Sequence, residues 1–277
     1  MASRIKLSPC KTLVELAPAV LFGLAGERVW QTFSRWPSSI QTAFPVLCAL
    51  PYILISYSYQ MFSWKWCALY AALPVAIAWL LGRAAIADPK QRGNWRDAIV
   101  LLTVGLAVDL RWFERAWPNG LTSLGKLLLV DAALYGFVVI RQLKGTGFDF
   151  HFRCCDWKTG LRELAYFSPL VLAGGLALGF LHPHGNPLRL SMIPTWIYIF
   201  IFVAGPEELF FRAWVQNLLE RRLGRGTALV ITAVLFGLSH FNKRSAHFNW
   251  RYVVLQASRG FSTVGPGASN GEYQPRP

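Results

Sequence analysis

A chain of 277 residues, 54% apolar and only 15% charged, is too poor in charge for a soluble domain, where about a quarter of residues carry one. Its net charge is +14, from 28 Lys and Arg against 14 Asp and Glu. The cations lie between apolar runs and match no known nucleic-acid-binding motif, so they read as headgroup anchors and nucleic acid is excluded as a partner.

The predicted elements begin with a basic N-terminal arm over 1–42. Within it, 13–25 is apolar but short and interrupted by Glu15; it is expected to lie in the membrane interface, neither spanning nor cleaved as a signal. A spanning helix needs about 20 mostly apolar residues. Seven stretches approach that: 43–62, 66–81, 98–110, 123–140, 164–181, 192–219 and 227–241. The third is the shortest and ends at Asp109 and Arg111. Cys48 and Cys67 fall inside apolar runs, and the adjacent Cys154 and Cys155 lack C-x-x-C spacing, which excludes a disulfide framework. His151 fits no common metal-site spacing, and His182 and His184 read as solvated loop histidines.

An eighth helix starts at Trp250 and gives way after Leu255 to a stretch rich in Gly, Pro and Ser. About six apolar residues cover roughly 9 Å of a ~30 Å hydrocarbon layer. This helix is therefore expected to be absent or frayed, as in a truncated or frame-shifted version of a longer membrane protein. The expected fold is all-α, a polytopic transmembrane bundle of about seven to eight helices over 43–256, followed by a disordered polar tail over 257–277. Lys and Arg are more frequent in the loops on the N-terminal side. A multi-pass protein of a bacterial inner membrane, with a cytoplasmic N-terminus, is expected.

Chemistry concentrates in 199–226, IFIFVAGPEELFFRAWVQNLLERRLGRG. An apolar run meets Gly205 and Pro206, then Glu207 and Glu208. Pro206 suits the first turn of a helix, where its missing N–H costs nothing, and a helix N-terminus favours carboxylates. The expected local structure is a helix broken or kinked at membrane depth that restarts on two acids. Ionisable residues at that depth are costly and mark function. Glu208 and Arg212 stand at i and i+4, share a face and can pair. Glu207 has Phe210 and Phe211 at the corresponding places and is left needing a partner.

Gly224 marks a turn. Glu207 precedes it and His240 follows it by nearly equal lengths, about 25 Å of helix, so an antiparallel hairpin brings them level. Phe236 lies one turn before His240, with Gly237 and Ser239 between them, and small residues let neighbouring helices approach. A Glu–His pair supports two chemistries. In one, Glu207 is a general base holding water while His240 orients it or shares its proton. In the other, Glu207, Glu208 and His240 hold a divalent metal. The metal-free reading, with no cofactor, is preferred because H-E-x-x-H is absent and ligands at adjacent helix positions diverge.

E-E-x-x-x-R over Glu207, Glu208 and Arg212, followed by F-x-x-x-H over Phe236 and His240, resembles the CAAX prenyl protease and bacteriocin-processing family, also called CPBP or ABI. The resemblance covers roughly 160–256; the chain before it is similar only in being helical and apolar. It implies an intramembrane glutamic endopeptidase that hydrolyses a peptide bond in a peptide or prenylated-peptide substrate, with the lipid bilayer as its surroundings. By this resemblance Glu207 activates the water, His240 assists, and Glu208, Arg212 and Phe236 support the site. The family's third motif, H-x-x-x-N or H-x-x-x-D, does not follow His240. A catalytically impaired member acting as a membrane interaction protein is therefore the alternative expectation.

Overall fold

The structure is a computed structural model that describes residues 31–146, 154–179, 181–182, 190, 192–241 and 248–262. The expected interfacial helix over 13–25, the histidines at 151, 184 and 247, and the stretch 263–277 lie outside these residues. Among the described residues every regular element is helical: α1 Ser38–Ser58, α2 Trp64–Ala87, α3 Trp95–Asp109, α4 Ser123–Ile140, α5 Cys154–Ala177, α6 Met192–Leu223, α7 Arg225–Leu238 and α8 Trp250–Ser262. This is the all-α membrane bundle expected. Four helices, α1, α2, α4 and α6, are long and apolar enough to cross a membrane. The shorter α3 and α7 and the longer α5 form where apolar runs were read. Outward-facing side chains include Leu54, Trp79, Leu102, Leu170 and Phe200, which suits a lipid surface.

The helices make two compact units. One contains α1–α4 and Ile193–Leu218 of α6; the other contains α5, α7 and α8. In the first, Ile77 and Leu81 of α2, Val100 and Val104 of α3, and Leu128 and Phe137 of α4 form the core with Trp214 of α6. At one end of these helices Trp117 Nε1 donates to the Tyr70 hydroxyl at 2.6 Å, inside an aromatic cluster with Tyr52 and Phe113.

At the other end a polar clasp joins three helices. Asn94 caps α3: its side chain accepts from the Arg96 and Asp97 amides, and Asp97 Oδ2 accepts the Asn94 N–H at 2.9 Å, a capping box. Asp88 follows α2 and accepts the Arg92 and Gly93 amides. Arg141 follows α4 and reaches both acids, with Nη2 at 2.7 Å from Asp88 Oδ2 and Nε at 3.0 Å from Asp97 Oδ1. Its Nη1 also donates to the Asp88 carbonyl. Arg141 and Asp97 are 2% and 1% exposed, so the charges are compensated where water does not reach.

In the second unit α7 and α8 form an antiparallel hairpin. The Asn249 N–H donates to the Phe241 carbonyl at 3.1 Å, and Asn249 Oδ1 accepts the Tyr252 N–H at 3.3 Å, starting α8 as a side-chain cap. Gly237 permits the contact: a Cβ there would lie 2.6 Å from the Val253 carbonyl oxygen. The eighth helix, expected to be absent or frayed, is thus formed. It runs through 257–262, residues read from the sequence as tail, because backbone contact with α7 and the Asn249 cap support it where apolar content does not.

Candidate active site

The acids stand on α6. The sequence predicts a break at Gly205 and Pro206, yet α6 is continuous from Met192 to Leu223. Two π-helical stretches, Phe200–Ala204 and Leu209–Gln216, flank the α-helical turn Gly205–Glu208. In an α-helix the Pro206 ring would meet the carbonyl four residues back. The wider turn before it accommodates the ring, and the Gly205 N–H bonds to the Phe200 carbonyl instead. A π stretch inside an α-helix is often found at a functional site.

Contacts within the first unit orient α6. The Tyr198 hydroxyl is 3.3 Å from Ser123 Oγ, at the start of α4. Trp214 stacks on Phe137 near the end of α4, with centroids 4.9 Å apart. Asn217 Nδ2 donates to the Lys144 carbonyl at 3.0 Å. Hence α6 runs parallel to α4, and Glu207 lies about midway between these ties, at the depth of the α4 interior. Phe210 lies against Gly105 of α3.

Glu208 and Arg212 are brought together, with Arg212 Nε 3.5 Å from Glu208 Oε2. On the next turn Arg212 Nη1 donates to Gln216 Oε1 at 2.9 Å, so Arg212 is braced from both sides. Glu208 is exposed and Glu207 half-buried. Glu207 is not left without an interaction, in contrast to the orphan inferred from helical spacing. The turn that ends α6 falls at Gly224, as expected, with φ at +78°.

His240 belongs to the second unit, so the structure holds the acids and the imidazole in separate units. It is 5% exposed, and Phe236 lies against it with ring centroids 4.9 Å apart. His240 Nδ1 is 2.9 Å from the Phe236 carbonyl oxygen and 3.0 Å from Ser239 Oγ. A carbonyl only accepts, so this bond requires the proton on Nδ1 and leaves Nε2 as the basic nitrogen. Tyr252 of α8 meets His240 edge-on at 5.7 Å.

Two features escaped the sequence reading. Tyr252 was taken for part of an incomplete helix, although its place on a face with Gln256 is a signal that spacing carries. Asp131 sits midway along α4 in an apolar run and makes no hydrogen bond or ion pair with another described residue. Among the described residues no three His, Cys, Asp or Glu side chains are grouped as a metal ion needs.

Residues 189–264 match the family model described as type II CAAX prenyl endopeptidase Rce1-like. The match contains α6, α7 and α8 and every residue of the two motifs, and bears out the resemblance seen at those residues. It begins later than the 160–256 inferred and reaches further. No curated protein and no solved structure matches the chain. The matched family is one of membrane-embedded proteases, and the coarse assignment is to an integral membrane protein of that kind.

Proposed function

We propose that the chain is an intramembrane endopeptidase in which Glu207 activates the hydrolytic water and His240 orients it. The observation that carries this reading is the family match over 189–264, which takes in an acid pair within a spanning helix and a buried histidine whose Nε2 is free of the backbone bond. Water donates one hydrogen to the Glu207 carboxylate and the other toward His240 Nε2, leaving an oxygen lone pair for the scissile carbonyl carbon. As the C–O bond forms, Glu207 takes the proton. It passes the proton to the amine nitrogen when the C–N bond breaks. Glu208, Arg212 and Phe236 support the site: Arg212 anchors Glu208, and Phe236 holds the imidazole through its carbonyl. No cofactor takes part in this reading.

The substrate class proposed is a peptide or prenylated peptide reached from the bilayer. The Lys and Arg bias of the loops supports a cytoplasmic N-terminus in a bacterial inner membrane. The test is digestion of a hydrophobic peptide library by the detergent-solubilised chain, wild type beside Glu207→Ala, read by mass spectrometry. Cleavage by wild type alone is expected. Equal product from both overturns the role of Glu207. Binding without any cleavage favours the non-enzymatic interaction protein.

A further inference from the structure

The flank of the α7–α8 hairpin that carries His240 also holds buried oxygens that no hydrogen bond satisfies, Thr232 Oγ1 and Gln256 Oε1. Helical spacing accounts for their company. Thr232, Phe236 and His240 recur every fourth residue on α7, and Tyr252 and Gln256 do so on α8. Tyr252 touches the imidazole edge-on. Because α8 runs antiparallel to α7, Gln256 falls one turn beyond Tyr252, level with Phe236. Val253 and Ala257, which meet Gly237, hold α8 in this register. A strip of hydrogen-bonding groups therefore extends from His240 along one side of the hairpin, and its amide oxygen is unsatisfied although buried. Such groups are costly inside a protein and call for a partner.

We infer that Gln256 is a substrate-binding residue whose Oε1 accepts a backbone N–H of the peptide lying along this flank. The inference rests on the endopeptidase reading and extends it to how the substrate is held. A peptide must leave its helix to be cut, and within lipid each freed N–H needs an acceptor. A glutamine amide beside the histidine supplies one. It addresses the main chain, so the contact is independent of the substrate's side chains.

The experiment uses the full chain in detergent. The probe is a fluorescent hydrophobic peptide of about 20 residues ending in Cys-aliphatic-aliphatic-X, with and without a farnesyl group. Ester analogues replace one backbone N–H at a time by oxygen around the Cys. Binding is read by anisotropy and cleavage by mass spectrometry. One ester should weaken binding to wild type roughly threefold to tenfold, the worth of one neutral hydrogen bond, and have no effect on Gln256→Leu. That variant exchanges an unsatisfied amide for an apolar group, so its melting temperature should not fall.

If no ester weakens binding to wild type, or if the same ester weakens binding to Gln256→Leu equally, the inference is overturned. The wild-type scan alone decides it should the variant fail to fold. Peptides bound with the expected ester pattern but never cut would sink the endopeptidase reading and leave the Gln256 assignment standing. Peptides cut without that pattern would do the reverse, and failure of every peptide to bind overturns both.

Discussion

Arg141 grips Asp97 through two parallel hydrogen bonds, Nε to Oδ1 at 3.0 Å and Nη2 to Oδ2 at 3.2 Å, across 44 residues of sequence. Removing the guanidinium leaves a buried carboxylate facing nothing. Arg141→Met should cost roughly 3–5 kcal/mol, and Arg141→Met with Asp97→Leu should recover much of it. Unfolding titrations of both variants in detergent check this. A double variant as weak as the single one would show that the ion pair is not the source of the loss.

Acid should loosen the same clasp. Burial works against the Asp88 carboxylate. Hydrogen bonds from the Arg92 amide, the Arg141 side chain and the Gly93 amide, with the Arg141 charge, outweigh it and hold its pKa below the ordinary value. A carboxyl depressed in the folded state stabilises fully above its unfolded pKa, about 3.9, and loses that contribution as pH falls through the folded value. The gap in melting temperature between wild type and Asp88→Asn should be constant above about pH 4 and close below it. A gap unchanged down to pH ~3 would contradict the linkage.

The two acids of α6 should separate in experiment. Glu207→Gln should lower turnover at least ~100-fold, the order lost with a general base, at unchanged folded yield. Glu208→Gln, which weakens the tie to Arg212, should reduce folded yield at least as much as turnover per folded molecule. Full yield with abolished turnover for Glu208→Gln would exchange their roles.

Cleavage should survive chelation. In the proposed mechanism Glu207 and His240 handle the water without a Lewis acid, so EDTA should leave the rate unchanged. Activity lost to EDTA and restored by zinc would establish the metal reading instead.

Gly237 should tolerate no side chain. The atoms that a Cβ would meet include the Val253 carbonyl and the Ala257 amide, and backbone cannot swing aside as a side chain does. Gly237→Val should reach or exceed the upper end of the ~1–3 kcal/mol typical of overpacking. A melting temperature equal to wild type would mean that α8 is not seated on α7 in this register.

Hydropathy located the spanning helices well, because twenty apolar residues leave a chain little choice in lipid. The link between Glu208 and Arg212 was legible for a similar reason, since four residues of helix bring side chains onto one face. The clasp was not. Arg141 read as a headgroup anchor, because nothing local ties it to acids 44 and 53 residues earlier. Pro206 was misread as a break: whether a helix stops at a proline or widens around it depends on tertiary packing, here the contacts of Tyr198 and Trp214 with α4. Helix α8 was underestimated because its support lies in Gly237 of another helix and not in its own apolar content.

The π turns of α6 also bear on what kinds of genetic change the chain can absorb. A π turn holds one more residue than an α turn, so Leu209–Gln216 carries slack that an ordinary helix lacks. Loss of one codon there need not break the helix, which can contract to α geometry. The contraction would rotate everything after it against everything before it. Trp214 would leave its place on Phe137 while Glu207 kept its own, and Arg212 would no longer stand beside Glu208. Such a deletion would spare insertion into the membrane and dismantle the acid constellation, a combination that few point substitutions produce.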